Sequence, residues 1–462
     1  MPEGAGQKLF GTDGIRGEAG RFPLDTTTVT RIGRSLALNL GRELGRAPRI
    51  MIGRDTRESG PQIEQALAWG AEGAGAVVQS AGVITTPGVA YITRTASFDA
   101  GVVISASHNP YQDNGIKVFS PSGRKLADDM ERRIEADIAS AIELSVESHE
   151  RENTPDFLSD QAKAEKKHHQ SYINYLVNEV ALGSRFEGLR LGLDCSNGAA
   201  SAIAPEVFTR LGSHAEVISA EPDGRNINDG CGSLHMESLQ RLVIDRRLDL
   251  GIAFDGDADR ALFVDEAGAL VDGDATLLIL GDDFKKRGLL GRNLVVATVM
   301  SNVGLEIAMR ERGIELVRAQ VGDRYVLEEL LANQAKLGGE QSGHIIFPDI
   351  SLAGDGIITA IEMLRAVQQA GVTLGRLAGQ MTRYPQVLLN VRVAFKPPFE
   401  TLPLVNAEIE RLERELRDRG RLLLRYSGTE NLARVMIEGK NEGEITEQAN
   451  RLAQVIREVI GK

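Results

Sequence analysis

Cysteine is nearly missing from this chain: Cys195 and Cys231 are the only two among 462 residues, and neither belongs to a paired-cysteine spacing. That excludes a disulfide framework and a structural zinc site, and it fits a reducing, cytoplasmic compartment. Long apolar runs are missing too. None reaches the roughly 18 residues that a membrane span needs, and Met1 to Phe10 has no basic start followed by an apolar core. Positive charge is in deficit, with 53 Lys plus Arg against 65 Asp plus Glu for a formal net charge of -12. A surface built for nucleic acid or anionic lipid is therefore not expected. What remains is an ordinary globular composition, 42% hydrophobic and 26% charged. At roughly 150 residues per domain the length predicts three or four domains.

Apolar runs followed by polar or glycine-rich loops recur three times before residue 350. In the first unit, Ile50-Met51-Ile52 leads into Gly53 to Thr56, and a helix begins near Ser59 with Pro61 in its first turn and Ile63 and Leu67 on one face. Val77-Val78 reads as a second strand, and Val102-Val103-Ile104 opens into Ser105 to Pro110. The second unit has Leu191 to Asp194, Glu216 to Ile218, and Leu250 to Phe254 opening into Asp255 to Arg260. The third has Leu294 to Val296, Glu315 to Val317, and a segment near Ala335 to Leu337 opening into Gly338 to His344. Strands alternating with amphipathic helices imply parallel βαβ units whose loops gather at the carboxyl ends of the strands, where ligands of open α/β sheets bind. The charged stretch Glu147 to Lys167 is expected to cover the first boundary, and its adjacent His168 and His169 are assigned no function, because neighbouring helical residues do not share a face.

After Tyr384 the pattern changes. A strand near Val387 to Val391 precedes a helix carrying Val405, Ile409, Leu412 and Leu416 on one stripe, with Gly420 near its end. Strand-like Leu422 to Leu424 and Val435 to Ile437 then bracket Arg425 to Glu430. The fold class expected is α/β: three related α/β domains with mixed, largely parallel sheets, at 1–155, 156–262 and 263–378, plus an α+β domain at 379–462, around a central cleft.

Asp255, Asp257 and Asp259 alternate, so an extended backbone would separate them, whereas a turning loop can converge their oxygens on a hard divalent cation. A calcium-binding EF-hand is the competing reading, but Arg260 occupies the position that requires Gly, and the flanks look like strands. Mg²⁺ suits a few carboxylates with phosphate filling the remaining positions, which directs the reading to phosphate chemistry. Ser107 sits after an apolar strand beside His108, with Lys117 following; a serine in a turn ordinarily caps backbone, but near Mg²⁺ and a cation its hydroxyl can carry a phosphoryl group. Arg425, Ser427, Gly428, Thr429 and Arg434 combine charged forks, hydroxyls and an open turn suited to a phosphate dianion. Glu340, Ser342 and His344 offer groups for sugar hydroxyls.

Taken together, these residues resemble the α-D-phosphohexomutase family over nearly the whole chain. The likeness is carried by Gly11 to Gly17, Ser105 to Pro110, Asp255 to Arg260, Gly339 to His344 and Arg425 to Glu430, in the family's order. It implies Ser107 as the phosphoserine, with Ser107, Asp255, Asp257 and Asp259 around one Mg²⁺, and Arg16, His108, Lys117 and Arg260 as the other catalytic groups. It implies sugar contacts from Asp323, Arg324, Glu340, Ser342 and His344, and a grip on the nonreacting phosphate by Arg425, Ser427, Gly428, Thr429 and Arg434. Asn226-Ile227-Asn228 with Cys231 to Ser233, Val321 to Val326, and Gln341 resemble the amino-sugar branch, which implies interconversion of glucosamine 6- and 1-phosphate with a hexosamine or hexose 1,6-bisphosphate as activator. The partner expected is thus a small sugar phosphate, with a homodimer as a family expectation. Asn431, Ala433 and Ala353 depart from the family's usual Pro, larger aliphatic and Thr, which bears on loop rigidity and substrate preference. Lys117, His108 and Asp323 remain alternative general bases. A phosphomannomutase or phosphoglucomutase, a phosphoserine phosphohydrolase and a noncatalytic sugar-phosphate sensor are the competing functions.

Overall fold

The computed structural model describes residues 9–11, 13–140, 155–417, 420–427 and 430–462. The chain forms two compact units, one of Met1–Thr298 with Ala319–Ala378, the other of Val299–Arg318 with Gly379–Lys462.

Within the first unit, apolar strands with every residue buried form the centre of each sheet, as expected where helices cover both faces. The first sheet runs Phe10–Gly11, Gly14–Glu18, Asp113–Phe119, Ala100–Ile104, Arg49–Arg54, Val77–Val83. Its last three strands are mutually parallel, and Asp113–Phe119 returns antiparallel to Ala100–Ile104. The helices Thr26–Leu44 and Gly60–Glu72 meet on one face. Their approach needs two glycines: a Cβ at Gly33 would lie 2.1 Å from the Leu67 carbonyl oxygen, and one at Gly70 would lie 1.9 Å from that of Thr30. The second sheet repeats the plan. Arg190–Asp194 pairs in parallel with His214–Ile218 and with Leu250–Phe254, and Ala261–Val264 returns antiparallel to Leu250–Phe254. In the third, Leu294–Thr298 is parallel to Gly338–Gly339, and Ile345–Ile346 returns antiparallel to it.

The second unit is a three-stranded antiparallel sheet in the order Gln386–Arg392, Leu432–Gly439, Gly420–Tyr426, with the helices Pro403–Leu416 and Glu442–Ile460 packed on it over Val391, Val405, Leu412, Val435, Ile437, Leu452 and Ile456. The fully buried Glu438 accepts hydrogen bonds from Asn302, the Val303 amide and Arg421, tying Val299–Arg318 to this sheet.

Three sequence expectations shift. The third unit's inner strand lies at Gly338–Gly339 rather than Ala335 to Leu337. The strands around the phosphate loop are longer than read, reaching Tyr426 and starting at Leu432, and Gly420 opens a strand instead of closing a helix. From Pro155 the charged stretch is a helix, to Tyr175, while 141–154 lie outside the described residues. On that helix His168 packs edge-on to Phe98 and His169 reaches the Ala81 carbonyl at 2.9 Å. Among the described residues no helix is long and apolar enough to cross a membrane.

The same helix presents Tyr172, whose hydroxyl donates to Asp355 at 2.5 Å, while Asp355 also caps the helix Gly356–Ala370 through the Ile357 and Ile358 amides. Burial pushes this carboxyl up to about 6, against the hydrogen bonds of Tyr172 and the two amides, with Asp259 adding to the rise. The folded state holds the proton more tightly than the unfolded chain, so this group's contribution to stability is full below about pH 4 and is lost as pH rises through about 6. Asp355→Asn keeps a capping side chain and removes the titration. Between pH 4 and 7, urea unfolding is expected to show wild-type stability falling relative to the variant by on the order of 3 kcal/mol. A difference independent of pH would mean an ordinary carboxyl.

Candidate active site

The three polar loops occupy one topological position: each connects the innermost parallel strand of its sheet to the strand that returns antiparallel. They are Ser105 to Gln112 after Ala100–Ile104, Asp255 to Arg260 after Leu250–Phe254, and Glu340 to His344 after Gly338–Gly339. Ser107 adopts a left-handed φ of 53°, uncommon for a residue with a Cβ. Its hydroxyl donates to Asp255 Oδ2 at 2.5 Å and lies 3.2 Å from His108 Nδ1. Ala258, at φ 56°, turns the second loop so that carboxylate oxygens of Asp255, Asp257 and Asp259 all fall within 4.8 Å of one another in a buried setting. The turn expected from the alternating aspartates is thus present.

Lys117 comes from the return strand Asp113–Phe119 and is buried. Its Nζ is 3.0 Å from Asp257, 3.3 Å from Asp259 and 3.4 Å from Asp13. Burial opposes its charge, but the carboxylates of Asp13, Asp257 and Asp259 overcome this and hold the ammonium well above the usual lysine range. Such a lysine is suited to stabilising negative charge rather than to accepting a proton. Asp255 goes the other way: burial and then repulsion from Asp259 and Asp257 push it well above the usual carboxylate range. Asp257 Oδ1 and Asp259 Oδ1 are buried without a hydrogen-bond partner among the described residues. Crowded carboxylates with unspent acceptors fit a hard divalent cation.

A cavity of about 690 Å³ opens over this floor, bounded by Arg16, His108, Asp259, Arg260, Asp323, Glu340 and His344. Burial, followed by the charges of Arg260 and Arg16, lowers His108 to about 4, leaving it neutral near pH 7. His344 rises to about 9: burial works against its charge, but Asp259, 3.5 Å away, with Asp323 and Glu340, prevails. Gly354 makes room for that ring, since a Cβ there would lie 2.4 Å from His344 Nε2. Ser342 donates to Glu340 at 3.3 Å, and Glu340 accepts from the Gly322 amide.

One residue read as a sugar contact has a second set of partners, and one read as a branch marker faces elsewhere. Arg324 pairs with Asp128 and Glu328 and borders a second cavity, of about 250 Å³, together with Lys117, Asp259, Asp323 and His344. Gln341 donates to Asp272 and Asp274 at the start of the helix Gly273–Lys286. Sequence reasoning also passed over several groups. Asp13 joins Lys117, Arg16 and Lys125; Lys125 spans Asp13 and Asp323 at 2.5 and 2.6 Å; Thr86 donates to Asp257 at 2.6 Å. Asp13 lies within the Gly11 to Gly17 motif and could have been singled out there, but Lys125 and Thr86 carry no local signal.

In the second unit, Arg425 and Arg434 are directly opposed across the antiparallel pair. Burial, then Arg434, lowers the Arg425 guanidinium from its usual value, and Arg434 Nε is buried with no hydrogen-bond partner among the described residues. Ser427 Oγ accepts from the Glu430 amide at 3.3 Å, and Lys396 donates to the Ser427 carbonyl at 2.7 Å. Gly428 and Thr429 lie outside the described residues. Two like charges placed opposite each other on a sheet are destabilising alone; Glu430, 3.7 Å from Arg434, offsets part of this, and a bound anion would offset more.

Known proteins match this arrangement from end to end. The phosphoglucomutase/phosphomannomutase models for α/β/α domains I, II and III match residues 7–144, 170–268 and 272–384, and the model of the C-terminal domain matches 388–455. The chain therefore belongs to the phosphoglucomutase/phosphomannomutase family, within the α-D-phosphohexomutase superfamily, and is a phosphohexomutase-type enzyme. A phosphoglucosamine mutase of Koribacter versatilis is 50% identical over 458 residues, covering 98% of both chains. One of Solibacter usitatus is 49% identical over 454 residues, covering 98% of this chain and 99% of that protein. A phosphoglucomutase/phosphomannomutase family structure from Burkholderia thailandensis shares the fold with a TM-score of 0.77 at 22% identity, over 98% of this chain and 97% of the other.

Arg425→Gln removes the like-charge opposition. Without an anion the variant is expected to be more stable than wild type by about 0.2–1 kcal/mol in urea titrations at low salt, and inorganic phosphate is expected to reverse the ranking. Lower stability of the variant in both conditions would show the pair to be structural.

Proposed function

We propose that this enzyme interconverts glucosamine 6-phosphate and glucosamine 1-phosphate through a phosphorylated Ser107 and a bound 1,6-bisphosphate. The observation that carries it is the gathering of the Ser107 hydroxyl, three buried carboxylates and Lys117 around Asp259, which with Arg260 and Arg16 borders the cavity. The amino-sugar preference is supported by the name of relatives 50% and 49% identical over nearly the whole chain, not by Gln341, which faces a helix end.

In this reading the bond between phosphorus and Ser107 Oγ breaks as one forms to the free sugar hydroxyl, whose proton passes to a base in the cavity. The resulting 1,6-bisphosphate turns over, and its other phosphoryl group returns to Ser107. Asp255, Asp257 and Asp259, with a Ser107 phosphate oxygen, would hold Mg²⁺, which neutralises charge on the transferring phosphoryl oxygens. Lys117, Arg260 and Arg16 would offer fixed positive charge to the same oxygens. Glu340, Ser342, His344 and Asp323 orient the sugar hydroxyls. Arg425, Ser427, Gly428, Thr429 and Arg434 grip the phosphate that is not being transferred, without regard to which carbon bears it. A hexosamine or hexose 1,6-bisphosphate acts as activator, and the cytoplasmic enzyme's product feeds amino-sugar nucleotides and cell-wall precursors.

A coupled assay for glucosamine 1-phosphate, with Mg²⁺ and catalytic bisphosphate, tests this directly. Ser107→Ala is expected to lose at least about a thousandfold in turnover while remaining folded. Chelation is expected to abolish wild-type activity and added Mg²⁺ to restore it. Wild-type turnover of glucose or mannose phosphates in preference to glucosamine phosphates would keep the chemistry and overturn the substrate. For the clamp, Arg425→Gln is expected to raise KM for the sugar phosphate about 10- to 100-fold; an unchanged KM would remove Arg425 from it.

A further inference from the structure

Asn228 was a sequence marker of the substrate branch, yet the structure places it beneath the nucleophile. Its Nδ2 donates to the carbonyl oxygens of Ser107 at 2.9 Å and Asn109 at 3.0 Å. Those same two oxygens accept from Arg57 Nη2, at 3.2 and 2.6 Å. Arg57 is fully buried and ion-paired with Asp55, whose Oδ1 also accepts the Arg57 amide at 3.0 Å. A carbonyl oxygen has two lone pairs, and at both positions one donor comes from the Asp55–Arg57 loop and one from the 223–230 loop.

The two loops are joined independently. The Glu58 amide donates to the Gly224 carbonyl at 2.9 Å, and Arg225 pairs with Glu58 at 2.7 Å. From the other side, Ser105 Oγ accepts the Ser107 amide at 2.9 Å, and a Cβ on Gly256 would lie 2.5 Å from the Ser107 carbonyl oxygen. Turning the peptide after Ser107 would break two hydrogen bonds at once. We propose that Asn228 is a positioning residue that, with Arg57, fixes the left-handed backbone of Ser107 and so aims its Oγ at the metal loop. It acts through the peptide chain and not by touching sugar. Phosphoryl transfer depends on in-line alignment, so a loosened loop slows the chemical step and leaves sugar binding intact.

This rests on the mutase reading, and the test separates the two. Wild type, Asn228→Ala, Asn228→Asp and the control Arg241→Gln are compared for kcat, KM, thermal midpoint and hydrogen–deuterium exchange of segment 105–112. Asn228→Ala is expected to lower kcat about 10- to 100-fold with KM within about twofold of wild type, and to speed exchange in that segment. Asn228→Asp, which sets a carboxylate against two carbonyls, falls at least as far, while Arg241→Gln, at an exposed position of the helix Glu237–Arg246, keeps wild-type kcat. An unchanged kcat, a raised KM at constant kcat, or unchanged exchange overturns the proposal. If wild type itself turns over no hexose phosphate, the mutase reading fails and exchange alone decides the clamp.

Discussion

One buried ammonium allows the site to exist. Lys117 lies amid Asp13, Asp257 and Asp259, all within 3.4 Å of its Nζ; Asp13 is also held by Arg16 and Lys125, and Asp259 has His344 and Arg260 at 3.5 and 3.7 Å, but among the described residues Lys117 is the one ion-pair partner of Asp257 and the one cation that joins all three. A buried ion pair is seldom a net source of stability, because desolving each charge offsets most of the attraction. What Lys117 contributes is permission for acidic groups to gather. Its own position follows from the sheet, where it sits opposite Val103 on a return strand whose connecting loop contains Ser107. A single hairpin thus sets the distance between the Ser107 hydroxyl and the Lys117 ammonium before any other domain is considered.

That hairpin recurs. In each of three sheets the chain leaves the innermost parallel strand, makes a polar loop and returns antiparallel. The first loop carries the hydroxyl, the second the carboxylates, the third Glu340 and His344. Equivalent backbone positions have been given different side chains, so the architecture supplies the convergence and the sequence of each loop supplies the part it plays. Glycines at the meeting points are a requirement of that convergence. Gly256 lies against the Ser107 carbonyl, Gly343 against the Ala261 carbonyl and Gly354 against His344, each with room for no Cβ.

Much of this was legible from residue types alone, since chemistry concentrated in short loops leaves a local trace. The aspartate triad, Ser107 with Lys117, and the three repeats could all be read from spacing. The failures have a common cause, which is that they depend on partners distant in sequence. Gly338-Gly339 has no side chain to show a strand pattern, so apolar Ala335 to Leu337 drew the strand too early. Arg425 and Arg434 look like loop residues until the register shows them opposed. Arg324 pairs with Asp128, nearly two hundred positions away, a contact that no local pattern shows. Asn228 meets Ser107 across 121 positions, and nothing near either residue announces the contact.

The unsatisfied groups share a logic with the strained ones. Folding leaves Asp257 Oδ1, Asp259 Oδ1 and Arg434 Nε buried without hydrogen bonds among the described residues, holds Ser107 at a left-handed φ, and opposes two guanidinium groups on adjacent strands. Each arrangement costs stability, and each is held by well-packed apolar strands on either side. The local rules broken here are broken where charge of the opposite sign would complete them: a cation beside the carboxylates, an anion between the arginines. A fold that satisfied these groups internally would be more stable and would have nothing with which to recognise a metal ion or a phosphate. The places where the chain departs from its own best packing are therefore the places left open to a cation and to an anion.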